Sequence, residues 1–287
     1  MTSTSQVVKG FKIAYPAFLE AAYTKQLTSL ATSIQRVTLQ RLKSDDFSSS
    51  LTAVSRLDDI VDDFENILKT INTAISLEVV KIIGTLSKRF KAVRKFVDHS
   101  FKQSLVHVVN CSLRTTGASL NIIASPVIEI ELLKKMWIEK NTQLIKNIPE
   151  LALSKINDAV YDAVRSGESM QSLSDKLAEI FECTKKRAEL IARDQIAKLK
   201  SELSRHNDLS HGFTMYEWSS CKDGAVRESH QVLEGKICSW LDASVYKNKA
   251  SDSWKKRKGI GGVLKHVGAD IQCRCTNIIL QKIEAIK

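Results

Sequence analysis

Four residues near the C-terminal end have the types and spacing of a metal site: His230, His266, Cys273 and Cys275. Two imidazoles and two thiolates are an ordinary tetrahedral zinc set, and structural zinc can hold together a small module with little core. Cys221 and Cys238 are nearby substitutes. The Cys273-Arg274-Cys275 spacing differs from the usual Cys-x-x-Cys knuckle, and two ligands separated by one residue are expected to need a tight bend. The same residues support a second reading. Arg227 and Arg274 can each hold a carboxylate such as Asp223 or Asp270 in paired hydrogen bonds, with the cysteines packed as small apolar groups. A third reading is catalytic: a low-pKa thiol beside arginine and histidine, or a hard cation among Asp223, Glu228, Glu234 and Asp270. Nothing in the pattern supplies that third reading with an oxyanion site or an oriented base. The residues alone leave all three open.

A basic stretch, "YKNKASDSWKKRKGIGG", precedes this cluster. Lys247, Lys249, Lys255, Lys256, Arg257 and Lys258 can neutralise phosphates without reading sequence, and Trp254 can stack on an unpaired base. The other reading of the same run is a solvated loop. The whole chain leans the same way: 43 Lys and Arg against 32 Asp and Glu give a formal net charge of +11. Such an excess makes a polyanion a reasonable neighbour.

The elements that must position these groups are mostly helical. The chain has 287 residues, 43% of them hydrophobic, which is enough to bury a substantial core. Its 11 glycines and 3 prolines are few, and the glycines crowd toward the C-terminal end. That distribution predicts long helices first and a less regular module afterwards. Leu57, Ile60, Val61, Phe64, Ile67, Leu68, Ile71 and Ile75 recur at helical spacing. Acidic Asp58, Asp59, Asp62, Asp63 and Glu65 precede basic Lys88, Arg89, Lys91, Arg94 and Lys95, an order that suits a helix macrodipole, with Gly84 a candidate break. Residues 111–126 read as a hinge. A helix then runs to Pro149, and three more follow, separated at "RSGES" and at Thr184, a candidate N-cap. In the last, Ala188, Ile191, Ala192, Ile196, Leu199 and Leu203 form the stripe expected to be buried. After Gly212, "FTMYEWSS" alternates as a strand does. The expected fold is therefore mainly α, with long amphipathic helices followed by a small α+β C-terminal module. The expected division is a helical region over 1–125, a helical segment over 126–211 and the module over 212–287.

No apolar run reaches the roughly 20 residues needed to span a bilayer, and the first residues lack the features of a signal peptide. The expected setting is the cytosol, where the six cysteines are reduced thiols or metal ligands rather than a disulfide framework.

From about residue 136 to 280, the order of features resembles the phage minor head proteins of the Mu F-like head morphogenesis family. The matching pieces are "RAELIARDQIAKLKSELSR", "YEWSS", Asp223 with "VRESHQVLEGK", Trp240 and "HVGADIQCRC". Ala225 stands where the family has arginine, Val267 replaces a proline after His266, and the basic connection is longer. The resemblance marks Arg193, Asp194, Asp223, Arg227, Gly235, Asp270 and Arg274 as structural motif residues. It implies a low-copy internal head protein of the virion, assembled in the host cytoplasm. The expected partners are the portal, the interior of the major capsid shell, and double-stranded phage DNA held nonspecifically. Long amphipathic helices suit the helix-in-groove contacts of such assembly. The alternative from another class is a metal-dependent DNA-processing enzyme built on the His/Cys cluster.

Overall fold

The computed structural model describes residues 5–42, 57–116, 129–166 and 168–284. Four long helices carry most of the chain: α1 (Ala17–Leu42), α2 (Leu57–Thr116), α3 (Ile130–Ser166) and α4 (Met170–Ser210). The rest is largely β1 (Ser5–Lys12), β2 (Met215–Ser219), the short helix α5 (Glu228–Gln231), β3 (Ile237–Ser239), β4 (Val245–Lys247), β5 (Lys255–Lys256) and β6 (Thr276–Glu284). The mainly α class with a small C-terminal sheet module is what the sequence predicts.

Several expected breaks are absent. Gly84 lies inside α2 on an exposed position, and Pro149 lies inside α3. Pro149 is itself buried, within a stripe of Ile145, Ile148, Ala152 and Ile156. Packing of that stripe outweighs the lost backbone hydrogen bond. Thr184 does not cap a helix. It sits within α4, where its hydroxyl donates to the Ile180 carbonyl at 2.8 Å. The segments read as two helices on either side of Thr184 are one. The break at "RSGES" is real, between the ends of α3 and α4. Because α2 continues to Thr116, Lys88 to Lys95 lie far from its C-terminus, so the macrodipole does not account for them. The side chains of 57–63 and the hinge positions 117–126 lie outside the described residues.

The chain forms two compact units, each assembled from separate stretches. One, Glu20–Lys88 with Met136–Arg193, is helical. Its core comes from stripes such as Tyr23, Leu27, Leu30 and Ile34 on α1, Ile71, Ile75, Val79 and Ile82 on α2, and Leu173, Leu177 and Phe181 on α4. The Tyr23 hydroxyl, buried with them, donates to Asn141 Oδ1 at 3.0 Å.

The other unit, Met1–Leu19 with Arg89–Lys135 and Asp194–Lys287, carries the sheet. Its antiparallel strands run in the order β1-β6-β2-β3-β4-β5. The N-terminal strand, unexpected from the sequence, pairs with β6 from Ser5 opposite Glu284 to Lys12 opposite Ile278, with an irregularity between Lys9 and Lys12. There Gly10 lets the strand lie against α2. Ser104 Oγ accepts from the Phe11 amide at 2.9 Å, and a Cβ on Gly10 would stand 2.2 Å from that oxygen. We expect Gly10→Ala to lower stability by about 1–3 kcal/mol through overpacking, read as a lower thermal midpoint. An unchanged midpoint would contradict this docking.

The core of the sheet unit gathers Leu209, Tyr216, Trp218, Leu233, Trp240, Tyr246 and Val267 around Cys238, Cys273 and Cys275. Helix α4 ends here at Ser210, and Gly212 just beyond it has a φ of 75°, the left-handed conformation that suits the turn after a helix C-terminus.

Candidate metal centre

The site is built where β2 and β6 meet. Their register ends at Ser219 opposite Thr276, so the chain leaving β2 at Ser220 and Cys221 runs beside the chain entering β6 at Cys275. The preceding loop turns at Gln272, a non-glycine residue with φ of 54°. Asp194 on α4 holds that turn: its Oδ1 accepts the Gln272 amide at 3.2 Å, while Oδ2 accepts from Lys198 at 2.6 Å. From Cys273 the chain is extended, and alternation places residues two apart on one side. Both cysteines therefore point inward while Arg274 points out, and the tight bend expected between them is not needed.

Helix α5 brings His230 to the two thiols. Its Nδ1 lies 3.4 Å from Cys273 Sγ and 3.7 Å from Cys275 Sγ. On the ring's other side, Nε2 lies 3.2 Å from Asp270 Oδ2, and the Trp218 ring packs edge-on against it. The site is closed: His230 is 2% exposed, Cys273 4% and Cys275 2%.

Asp270 organises the surroundings. It accepts from Arg227 at 3.1 Å and from Lys265 at 2.8 Å as well as facing His230. Burial pushes its carboxyl up, but these hydrogen bonds and the Ile271 amide outweigh it and hold the pKa at about 2. Arg227 also donates to the Ile271 carbonyl at 2.8 Å. Arg274 pairs with Asp223, which accepts the Ala225 amide at 3.2 Å. The thiols share a proton unequally. Hydrogen bonding from Cys275 draws Cys273 toward thiolate, against its burial, and the same contact pushes Cys275 up. Burial depresses the imidazolium form of His230, yet Cys273 and Asp270 together raise its pKa.

His266 is a correction to the sequence-derived set. It is not in the cluster; its ring packs 5.3 Å from that of Trp240 and 6.5 Å from that of Tyr216. Burial drives its pKa down to about 4, with Arg205 and Arg257 adding to the effect. Arg193, adjacent to Asp194 in sequence, falls in the helical unit, where it pairs with Glu20 at 3.1 Å. Gly235, with φ of 70°, closes the turn before β3 by donating its amide to the Trp218 carbonyl at 2.9 Å.

The basic run contains the end of β4, all of β5 and a 3-10 turn over Arg257–Ile260. Lys249, Trp254, Lys255, Lys256 and Lys258 are exposed and Lys247 is half-buried. Lys247 Nζ sits 4.5 Å from the centre of the Trp254 ring, so one face of that ring is already covered. Arg257 is the second correction: grouped with the phosphate contacts, it is fully buried. Its guanidinium donates to the carbonyls of Val245, Val263 and Lys265 at 3.0, 3.2 and 2.9 Å and cannot meet a phosphate.

Two features go beyond what the sequence suggests. Lys91, Arg94, Lys95, His99 and Lys102, with Asp98, line an open groove of about 350 Å³ on α2. The basic cluster was visible, but a helix assumed to end nearby hid its meaning. The second is a buried polar chain: Lys200 donates to Asn277 at 2.9 Å, and Asn277 and Trp240 donate to Asp208 at 3.1 and 2.7 Å. Lys200 interrupts the Ile196–Leu203 stripe, which was the available signal.

Residues 154–278 match the family described as Phage Mu protein F like protein. The match over this part of the chain supports a Mu F-like phage head protein family, in line with the resemblance. A protein of Haemophilus influenzae described as uncharacterized is 34% identical over 138 residues, 48% of this chain and 27% of that protein. The chain thus spans about a quarter of the length of that relative. No solved structure matches the chain. Among the described residues, no helix is long and apolar enough to cross a membrane.

Proposed function

We propose that the chain acts as a minor head protein in phage head morphogenesis, associated with the portal or the capsid interior and touching packaged DNA. One observation carries this reading: the family match over 154–278 includes all of the site, from Asp194 to Cys275. The proposed location is inside the virion head, with the host cytoplasm as the place of assembly. The DNA-processing alternative draws no support from the carboxylates it needs. Asp223 and Asp270 are engaged by arginines, and Glu234 by Lys222 and the Ser220 amide, and among the described residues the group placed to share an ion is His230, Cys273 and Cys275, with no carboxylate in it. Removing the gene tests the role: filled, infectious heads should fall sharply, and a normal yield would contradict it.

DNA contact is assigned to the exposed lysines and is nonspecific, driven by counterion release. Replacing Lys249, Lys255, Lys256 and Lys258 together by alanine should weaken duplex binding and reduce its log–log salt slope by up to about four. An unchanged affinity and slope would remove these residues from the interface.

A further inference from the structure

We propose that His230 Nδ1, Cys273 Sγ and Cys275 Sγ bind a structural zinc ion that fastens α5 to the chain entering β6. This goes beyond the head-protein reading and does not depend on it.

The first argument is geometric. Zinc bonds of about 2.3 Å to sulfur and about 2.0 Å to nitrogen, at tetrahedral angles, set nitrogen and sulfur about 3.5 Å apart. The two nitrogen–sulfur separations are 3.4 and 3.7 Å, and all three ligand atoms lie within 4.8 Å of one another. The set is soft, as zinc prefers: two thiolates and a neutral imidazole balance the charge of the ion.

The second argument is the surroundings. A metal-bound histidine usually gives its other ring nitrogen to a carboxylate, which fixes the tautomer and the ring plane. Asp270 stands at Nε2 in that position, itself held by Arg227 and Lys265. The backbone amide of Cys275 faces the Cys273 sulfur, and that of Cys221 faces the Cys275 sulfur. Amides so placed stabilise thiolates. Binding of zinc as two thiolates displaces the thiol protons to solvent, and no redox step is involved. The fourth position falls to the thiol of Cys221, a neighbour of Cys275.

The rival use of the same line of groups, Asp270–His230–Cys273, is a thiol nucleophile activated by an oriented base. A nucleophile must be reached by its substrate. Cys273 is 4% exposed and His230 2%, which suits a closed structural metal and not an open reaction centre. The role also fits the topology. The ion would join α5 to the chain entering β6 across the excursion through β3, β4 and β5, closing a long loop in a module with short strands.

The test uses the full chain. Purified protein should contain about one zinc per chain. Cobalt(II) exchanged into the wild-type protein should show thiolate-to-metal charge-transfer absorption and the intense visible bands of a tetrahedral site. Alkylation under native conditions should modify exposed Cys183 promptly and leave Cys273 and Cys275 protected until a strong chelator is added. The chelator should also lower the thermal midpoint by on the order of 10 °C. Cys273→Ser and His230→Gln should lose the zinc; the cobalt experiment decides the matter if either fails to fold. Folded wild-type protein that carries no zinc and gives no cobalt–thiolate absorption would overturn the proposal. So would rapid, chelator-independent alkylation of Cys273, which is the result expected of a nucleophile.

Discussion

Replacing Arg257 by alanine is expected to destabilise the protein by about 3–5 kcal/mol, while Lys258→Ala next to it changes stability by less than about 0.5 kcal/mol. The contrast arises from surroundings alone. Lys258 is exposed, whereas Arg257 is fully buried and bridges three stretches of chain. It donates to Val245 on β4 and to Val263 and Lys265 in the loop beyond, and its Nη2 reaches the Tyr216 hydroxyl on β2 at 3.3 Å. Its guanidinium carbon also lies 5.5 Å from the centre of the Trp218 ring. Truncation would leave buried carbonyl groups without donors and open a cavity in the aromatic core. Arg257→Lys should fall between the two, because one ammonium cannot reproduce a planar fork with five donors. Equilibrium unfolding in urea, followed by tryptophan fluorescence, measures all three variants. An Arg257→Ala protein within 1 kcal/mol of wild type would contradict the buried role, a threshold set by the net contribution of about 1 kcal/mol from one ordinary hydrogen bond.

The second large effect is a pH dependence centred on Asp208 and Lys200. Burial pushes the Asp208 carboxyl from its ordinary 3.8 up to about 7, against the pull of Trp240, Lys200 and Asn277. Between those two values the folded protein holds a proton that the unfolded chain has released, so this group's contribution to stability falls as pH rises. Burial likewise pulls Lys200 from 10.5 down to about 7, and above that value the unfolded chain holds the extra proton, so stability recovers with pH. Together the two produce a trough near neutrality. His266, held down at about 4, works against Asp208 on the acid side, but it is common to wild type and variant. Asp208→Asn keeps a carbonyl oxygen for Trp240 and Asn277 and removes the charge. It should gain on wild type by about 2 kcal/mol between pH 4.5 and pH 7, measured as the difference in unfolding free energy. A difference that does not change with pH would show that Asp208 titrates normally.

Periodicity made the helices legible. Every residue of the stripe from Ala188 to Leu203 is buried, as its spacing requires. Local propensity failed where packing overrides it. Gly84 and Pro149 discourage helix, but the apolar stripe of each helix continues past that residue. The strand Ser5–Lys12 was illegible because its partner, β6, is at the opposite end of the chain. In the site, the motif order brought the right residues to attention, yet proximity in sequence misplaced His266. It sits seven residues before Cys273, but the turn held by Asp194 sends it to the Trp240 side of the core. The basic run failed for a similar reason. Nothing in "KKRK" separates Arg257 from its neighbours until the strand and 3-10 turn aim it inward.

The most direct measurement is quantitative mass spectrometry of purified phage particles, counting this chain against the portal and the major capsid protein. A minor head protein joined to the portal should give a fixed, low ratio that tracks the portal and not the major capsid protein. Absence from both mature particles and assembly intermediates would contradict it.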